Sequence, residues 1–142
     1  MDELENSKVV GHILKTLINI SSRKTTVGFA ISTMDDLLKK LTDRYDFLRH
    51  IEVKDTRFSE SDDAISVMAD INKIKSDDVG KALYDIIKTM NVALGKNAGH
   101  FFIRELRSNI NDFYYTRVED MGLNLGLMQL ENEVDNMIKK LK

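Results

Sequence analysis

The chain has 142 residues, a formal charge of −2 at neutral pH, no cysteine and no proline. A chain of that length buries roughly two thirds of its unfolded surface in one core, and 42% hydrophobic with 31% charged residues is the composition of a folded protein, not a disordered one. Disulfides, thiolate metal sites and cysteine nucleophiles are excluded, and the slight negative charge argues against general nucleic-acid binding, which needs many Lys and Arg side chains on phosphates.

Val9, Val10, Ile13, Leu14, Leu17 and Ile18 recur at helical spacing and predict a first helix over about residues 3–20. "SSRKTT" then reads as a break whose hydroxyls cap the next helix. Val27, Ile31, Met34, Leu38, Leu41, Tyr45 and Leu48 alternate steps of four and three, predicting one helix along a heptad seam. Leu37 and Phe47 widen that stripe, as in a helix packed inside a domain.

Between His50 and Lys75 the pattern changes. "IEVKDTRF" and "AISVMADI" alternate with period two around the turn-like "SESDD", predicting a small antiparallel β-hairpin near residues 51–70. Helix is the alternative for the second run, because Ala64, Met68 and Ile71 also share a helical face. "SDD" at Ser76–Asp78 opens the next helix with a capping hydroxyl and two carboxylates, and Gly95 ends it. Another helix is expected from about Ala98 to Asn111, and a further short one ends at Gly122. Leu127, Leu130, Val134, Met137 and Leu141 repeat the heptad spacing in a closing helix with a lysine-rich end. The expected fold is a single, mainly α-helical domain over 1–142: a bundle of five to seven helices with the hairpin as its one β element.

The segment "GKNAGHFFIRELRSNI" (Gly95–Ile110) carries the strongest candidate site. Phe102, Ile103, Leu106, Ile110 and Phe113 share one broad helical face and are expected in the core. His100, Arg104, Arg107 and Asn111 form a second, cationic stripe, with Lys96 in the loop at the expected helix N-terminus, where amides and the helix dipole favour an anion. Five basic residues (Lys88, Lys96, Arg104, Arg107, Arg117) face two acidic ones (Glu105, Asp112) between Lys88 and Arg117, and Phe101, Phe102, Phe113, Tyr114 and Tyr115 are half of the chain's ten aromatics. The candidate binding residues are therefore Lys96, His100, Phe101, Arg104, Arg107 and Arg117, and the ligand is an acidic protein partner or an anionic small molecule. The bland alternative is a solvated helix flank. No phosphate-loop fingerprint occurs.

Other chemistry is poorly supported. Asp35–Asp36, Asp62–Asp63 and Asp77–Asp78 are sequence neighbours, which do not face one another on a helix. "DINKIKSDDVGK" lacks the glycine and final glutamate of a calcium loop. His12, His50 and His100 form no ligand pair, and no serine sits in a nucleophile elbow. No catalytic residue, metal or cofactor is expected.

The expected function is a non-enzymatic, cytoplasmic regulatory or interaction module. It is expected to self-associate as a dimer through Val27–Leu48 or Leu127–Leu141. One alternative is a ligand-binding or catalytic domain with an aromatic-lined pocket. A second is helix-turn-helix DNA binding by Val79–Leu94 and Ala98–Asn111. The acidic opening "MDELENSK" and the lack of a long apolar run predict neither a signal peptide nor a membrane span.

Overall fold

The computed structural model describes residues 5–54, 64–99 and 101–141, with side chains to Lys139. Among these residues there are six α-helices and one two-stranded antiparallel sheet: α1 (Asn6–Lys24), α2 (Val27–Leu41), β1 (Ile51–Val53), β2 (Ile65–Val67), α3 (Ser76–Leu94), α4 (Phe102–Asn109), α5 (Asp112–Asp120) and α6 (Leu125–Leu141). Short 3₁₀ turns cover Asp46–His50, Ala69–Lys73 and Gly95–Asn97. The fold is therefore mainly helical with a small hairpin, as the periodicities predict.

Helix α1 is the hub, buried on most of its circumference. Val9, Ile13, Leu14 and Leu17 are inaccessible to solvent, and Thr16 and Ser21 are buried beside them. Such a helix must be enclosed by others, and α2, α3, α4, α5 and β2 all pack on it. Contrary to the expected break, α1 continues through "SSRK". The Ser22 hydroxyl donates to the Ile18 carbonyl and that of Thr25 to the Ser21 carbonyl, both at 2.7 Å, so the hydroxyls serve the helix they were expected to end. Thr26 is the cap of α2, its hydroxyl accepting from the Phe29 amide at 3.1 Å.

Helix α2 is shorter than its heptads imply. It ends at Leu41, and Tyr45 and Leu48 follow in a turn and a 3₁₀ segment. Their side chains still reach inward: Leu48 is buried, and the Tyr45 hydroxyl donates to Asp85 of α3 at 2.6 Å. Burial, reinforced by that bond, raises the Tyr45 pKa. The hairpin pairs Ile51 with Val67, Glu52 with Ser66 and Val53 with Ile65, and Ile51 and Ile65 face the core. The "SESDD" turn lies outside the described residues.

Two helix starts differ from expectation. Ser76 is the first residue of α3, not its cap; its hydroxyl accepts from Arg117 at 2.9 Å. Helix α4 begins at Phe102, because Gly99 sits at φ +76°, outside any right-handed helix. The α4–α5 break at Ile110–Asn111 also resets the helical phase, so Phe113, expected in the core, is exposed.

Gly80 shows how closely α3 meets the end of α5. A Cβ there would overlap the Met121 carbonyl, which is backbone and cannot step aside. Gly80→Ala should therefore destabilise the protein by about 2 kcal/mol through overpacking, despite the roughly 1 kcal/mol that alanine gains in helix propensity. The urea unfolding midpoint is the measurement that checks it.

Candidate functional site

The predicted stripe is divided by the fold. Arg104 and Arg107 both lie on α4, and each covers an aromatic ring. The Arg104 guanidinium is 5.0 Å from the centroid of the exposed Phe101 ring, and that of Arg107 is 3.6 Å from Tyr115. Arg107 also donates to Asp112 at 3.4 Å. The rings hold both guanidinium planes in place, and Asp112 offsets part of the charge of Arg107. Beside them Glu105 is paired with Lys24 of α1 at 2.7 Å.

Arg117 takes no part in this arrangement. From α5 it donates to Asn6 at 3.0 Å and to Ser76 at 2.9 Å, joining three helices at the N-terminal ends of α1 and α3. Asn6 is buried, and its amide donates to the Ile74 carbonyl at 2.9 Å. Lys96 sits in the 3₁₀ turn after α3, and with α4 starting at Phe102 it is not at a helix N-terminus. His100 lies outside the described residues. The structure thus brings together Phe101, Arg104, Arg107 and Tyr115, and separates Arg117 from them.

Lys96 lines a groove of about 500 Å³ between α3, the 95–99 loop and α6, together with Tyr84, Lys88, Asn91, Glu131, Asp135 and Lys139. Its lining alternates three lysines with two carboxylates, so it has little preference for an anion. The Tyr84 hydroxyl donates to Glu131 at 2.8 Å and the Asn91 amide to Asn132 at 3.1 Å. The Glu131 bond, helped by burial, raises the Tyr84 pKa. Of the expected aromatic pocket, Phe102 is fully buried, Phe101 and Phe113 are exposed, and Tyr114 stacks on His12 with ring centroids 4.1 Å apart. Among the described residues no group of three or more His, Cys, Asp or Glu could hold a metal ion, and no helix is long and apolar enough to cross a membrane.

Helix α6 carries the feature that single-residue reading missed. Its buried line is Leu125, Met128 and Gln129, continued by the partly covered Asn132, Glu133 and Asn136. Past Met128 the inward side is polar. Its partners are specific: Gln129 Oε1 accepts from the Arg104 backbone amide at 3.2 Å, and Asn132 meets Asn91. On the opposite side Leu127, Leu130, Val134, Met137 and Ile138 are 53%, 59%, 52%, 64% and 48% exposed. The heptad seam read from sequence is thus an outward apolar face. The polar residues at a regular three-or-four spacing opposite the seam (Gln129, Asn132, Glu133, Asn136) were the available signal for its direction.

No known protein family, curated protein or solved structure matches the chain. What the fold defines is a class: a mainly helical domain with a small hairpin, in which α6 turns an apolar face to solvent.

Two predictions come from this geometry. His12 Nε2 is buried without a hydrogen bond, and burial, with Lys15 nearby, lowers the imidazole pKa. The unfolded chain therefore takes up the proton first as pH falls. Stability from this group is complete above about pH 6.5 and is lost as pH drops towards the lowered folded value. Urea midpoints measured from pH 7.5 down to pH 5 should fall more steeply in the wild type than in His12→Phe. Arg107→Ala should cost about 1 kcal/mol in the same assay, the size of an exposed cation–π contact.

Proposed function

We propose that the protein is a non-enzymatic interaction module of regulatory type, and that the outward face of α6 is its principal contact surface. The observation that carries this reading is the inversion of α6: five apolar side chains in solvent, and polar residues bonded to the domain behind them. Isolated exposed leucines are ordinary, whereas a continuous apolar stripe on one helix marks a surface for another molecule. The chain needs no oxidising compartment and no described helix could span a membrane, which supports a cytoplasmic setting. Self-association as a homodimer is part of the proposal.

A second reading rests on Arg104 over Phe101 and Arg107 over Tyr115. Two guanidinium planes already held in place, that of Arg107 also paired with the exposed Asp112, favour an acidic partner or an anionic ligand, since less side-chain entropy is lost on binding. In this reading Lys96 and His100 are candidates from the sequence alone, and Arg117 acts through the fold.

The contact-surface reading is tested with Leu130→Glu combined with Val134→Glu. If the face serves contact alone, unfolding free energy measured on dilute protein stays within about 0.5 kcal/mol of wild type, as for surface substitutions. A loss beyond about 2 kcal/mol would make the stripe part of the monomer's own packing and refute the reading.

A further inference from the structure

We propose a second site, independent of α6: the cleft where α1, β2 and α5 meet binds a small organic anion, its charged end beside Lys8 and Lys15 and its flat apolar part over Gly11. The cleft has a volume of about 330 Å³, and Lys8, Gly11, His12, Lys15, Val67 and Tyr114 are among the residues that line it.

Gly11 is the first reason. It lies inside α1, where alanine is the more stable residue because glycine loses more backbone freedom on folding. Nothing in the fold demands glycine at this position. Its φ is not positive, and an added Cβ would meet Val67 Cγ2 at 3.7 Å, an ordinary contact. Gly80, by contrast, is pressed against a backbone carbonyl. What glycine at position 11 does is keep the floor of the cleft open, so that another molecule can approach the helix backbone closely.

The wall is the second reason. His12 and Tyr114 stack with their planes 21° apart, and both rings line the cleft. Burial, and then the charge of Lys15, lowers the His12 pKa, so near pH 7 the ring is an uncharged surface. Val67 adds an aliphatic one from β2. These are the surfaces that a planar apolar group packs against.

Charge is the third. Lys8, His12 and Lys15 follow at steps of four and three and so share one side of α1. Both lysines are exposed, and among the described residues no carboxylate lines the cleft. The groove between α3 and α6 differs, since Glu131 and Asp135 line it beside its lysines. A volume of about 330 Å³ is at the small end for ligand sites, which fits one planar ring carrying a carboxylate or a phosphate.

The test is ¹⁵N-edited NMR on the full chain, with phenyl phosphate, benzoate, inorganic phosphate and benzylamine each added to about 10 mM, the weak end of small-ligand affinity. The aromatic anions should give saturable shifts centred on Gly11, His12 and Val67, and the tighter of the two identifies the charged end. Inorganic phosphate, which lacks the ring, and benzylamine, which reverses the charge, should bind about tenfold more weakly. Lys8→Glu, a change at an exposed position, should weaken the aromatic anion by about fivefold. Gly11→Ala should weaken it too, while raising the urea unfolding midpoint. No saturable shift with either aromatic anion, or shifts centred elsewhere, would overturn the site. Equal binding of benzylamine would refute the preference for an anion, and equal binding of inorganic phosphate would refute the apolar part. A lower urea midpoint for Gly11→Ala would show that the fold itself requires the glycine and overturn the argument from the open floor.

Discussion

The hydrogen bond from the Arg104 amide to Gln129 decides which side of α6 meets water. The N-cap of α4 is Phe101, whose side chain cannot accept a hydrogen bond, so the first-turn amides need acceptors from elsewhere. Gln129 Oε1 supplies one from α6 at 3.2 Å, and its Nε2 donates to Glu133 at 3.1 Å. A buried amide with an unsatisfied end would cost about 1–3 kcal/mol, so turning Gln129 away from α4 is unfavourable. With Gln129 fixed, Asn132, Glu133 and Asn136 follow on the same side at steps of three and four. The leucine–valine–methionine seam is left on the other side.

Energies decide what kind of contact that seam supports. Complete burial of such a side chain is worth about 1.5–3 kcal/mol, and each of these five is already about half covered. Completing the burial of all five would then add roughly 5 kcal/mol, against an association cost of about 4–15 kcal/mol. Gain and cost are close. A contact made by this face alone is therefore weak and reversible. The polar inner line also explains why α6 does not roll inward: doing so would leave Asn91 and the Arg104 amide without their partners.

Much of the architecture was legible from periodicity and punctuation. The hairpin strands, the stops at Gly95 and Gly122, and the heptad seam of α6 all follow from local pattern. What failed did so where a residue's partner is distant in sequence. Ser76 reads as a cap, but Arg117, 41 positions away, takes its hydroxyl. Arg117 reads as part of a basic patch, but Asn6, 111 positions away, draws it to the helix junction. Heptad spacing identified α6 as a seam without saying whether the domain or the solvent lies against it, because the deciding bond joins Gln129 to a backbone amide of another helix. Hydroxyls carried a different ambiguity: Ser22 and Thr25 bond back to their own helix, so "SSRK" prolongs α1 where its composition suggests an end.

The orientation of α6 is the central claim, and the absence of cysteine makes it directly measurable. Leu130→Cys and Met128→Cys each introduce a single thiol, one on the outward seam and one on the buried line. Their alkylation rates, measured on protein dilute enough to be monomeric, compare the two sides of the helix. The account predicts that the thiol at 130 reacts at nearly the rate of an unfolded peptide and the thiol at 128 far more slowly. The reverse order would show the seam packed inward and contradict it.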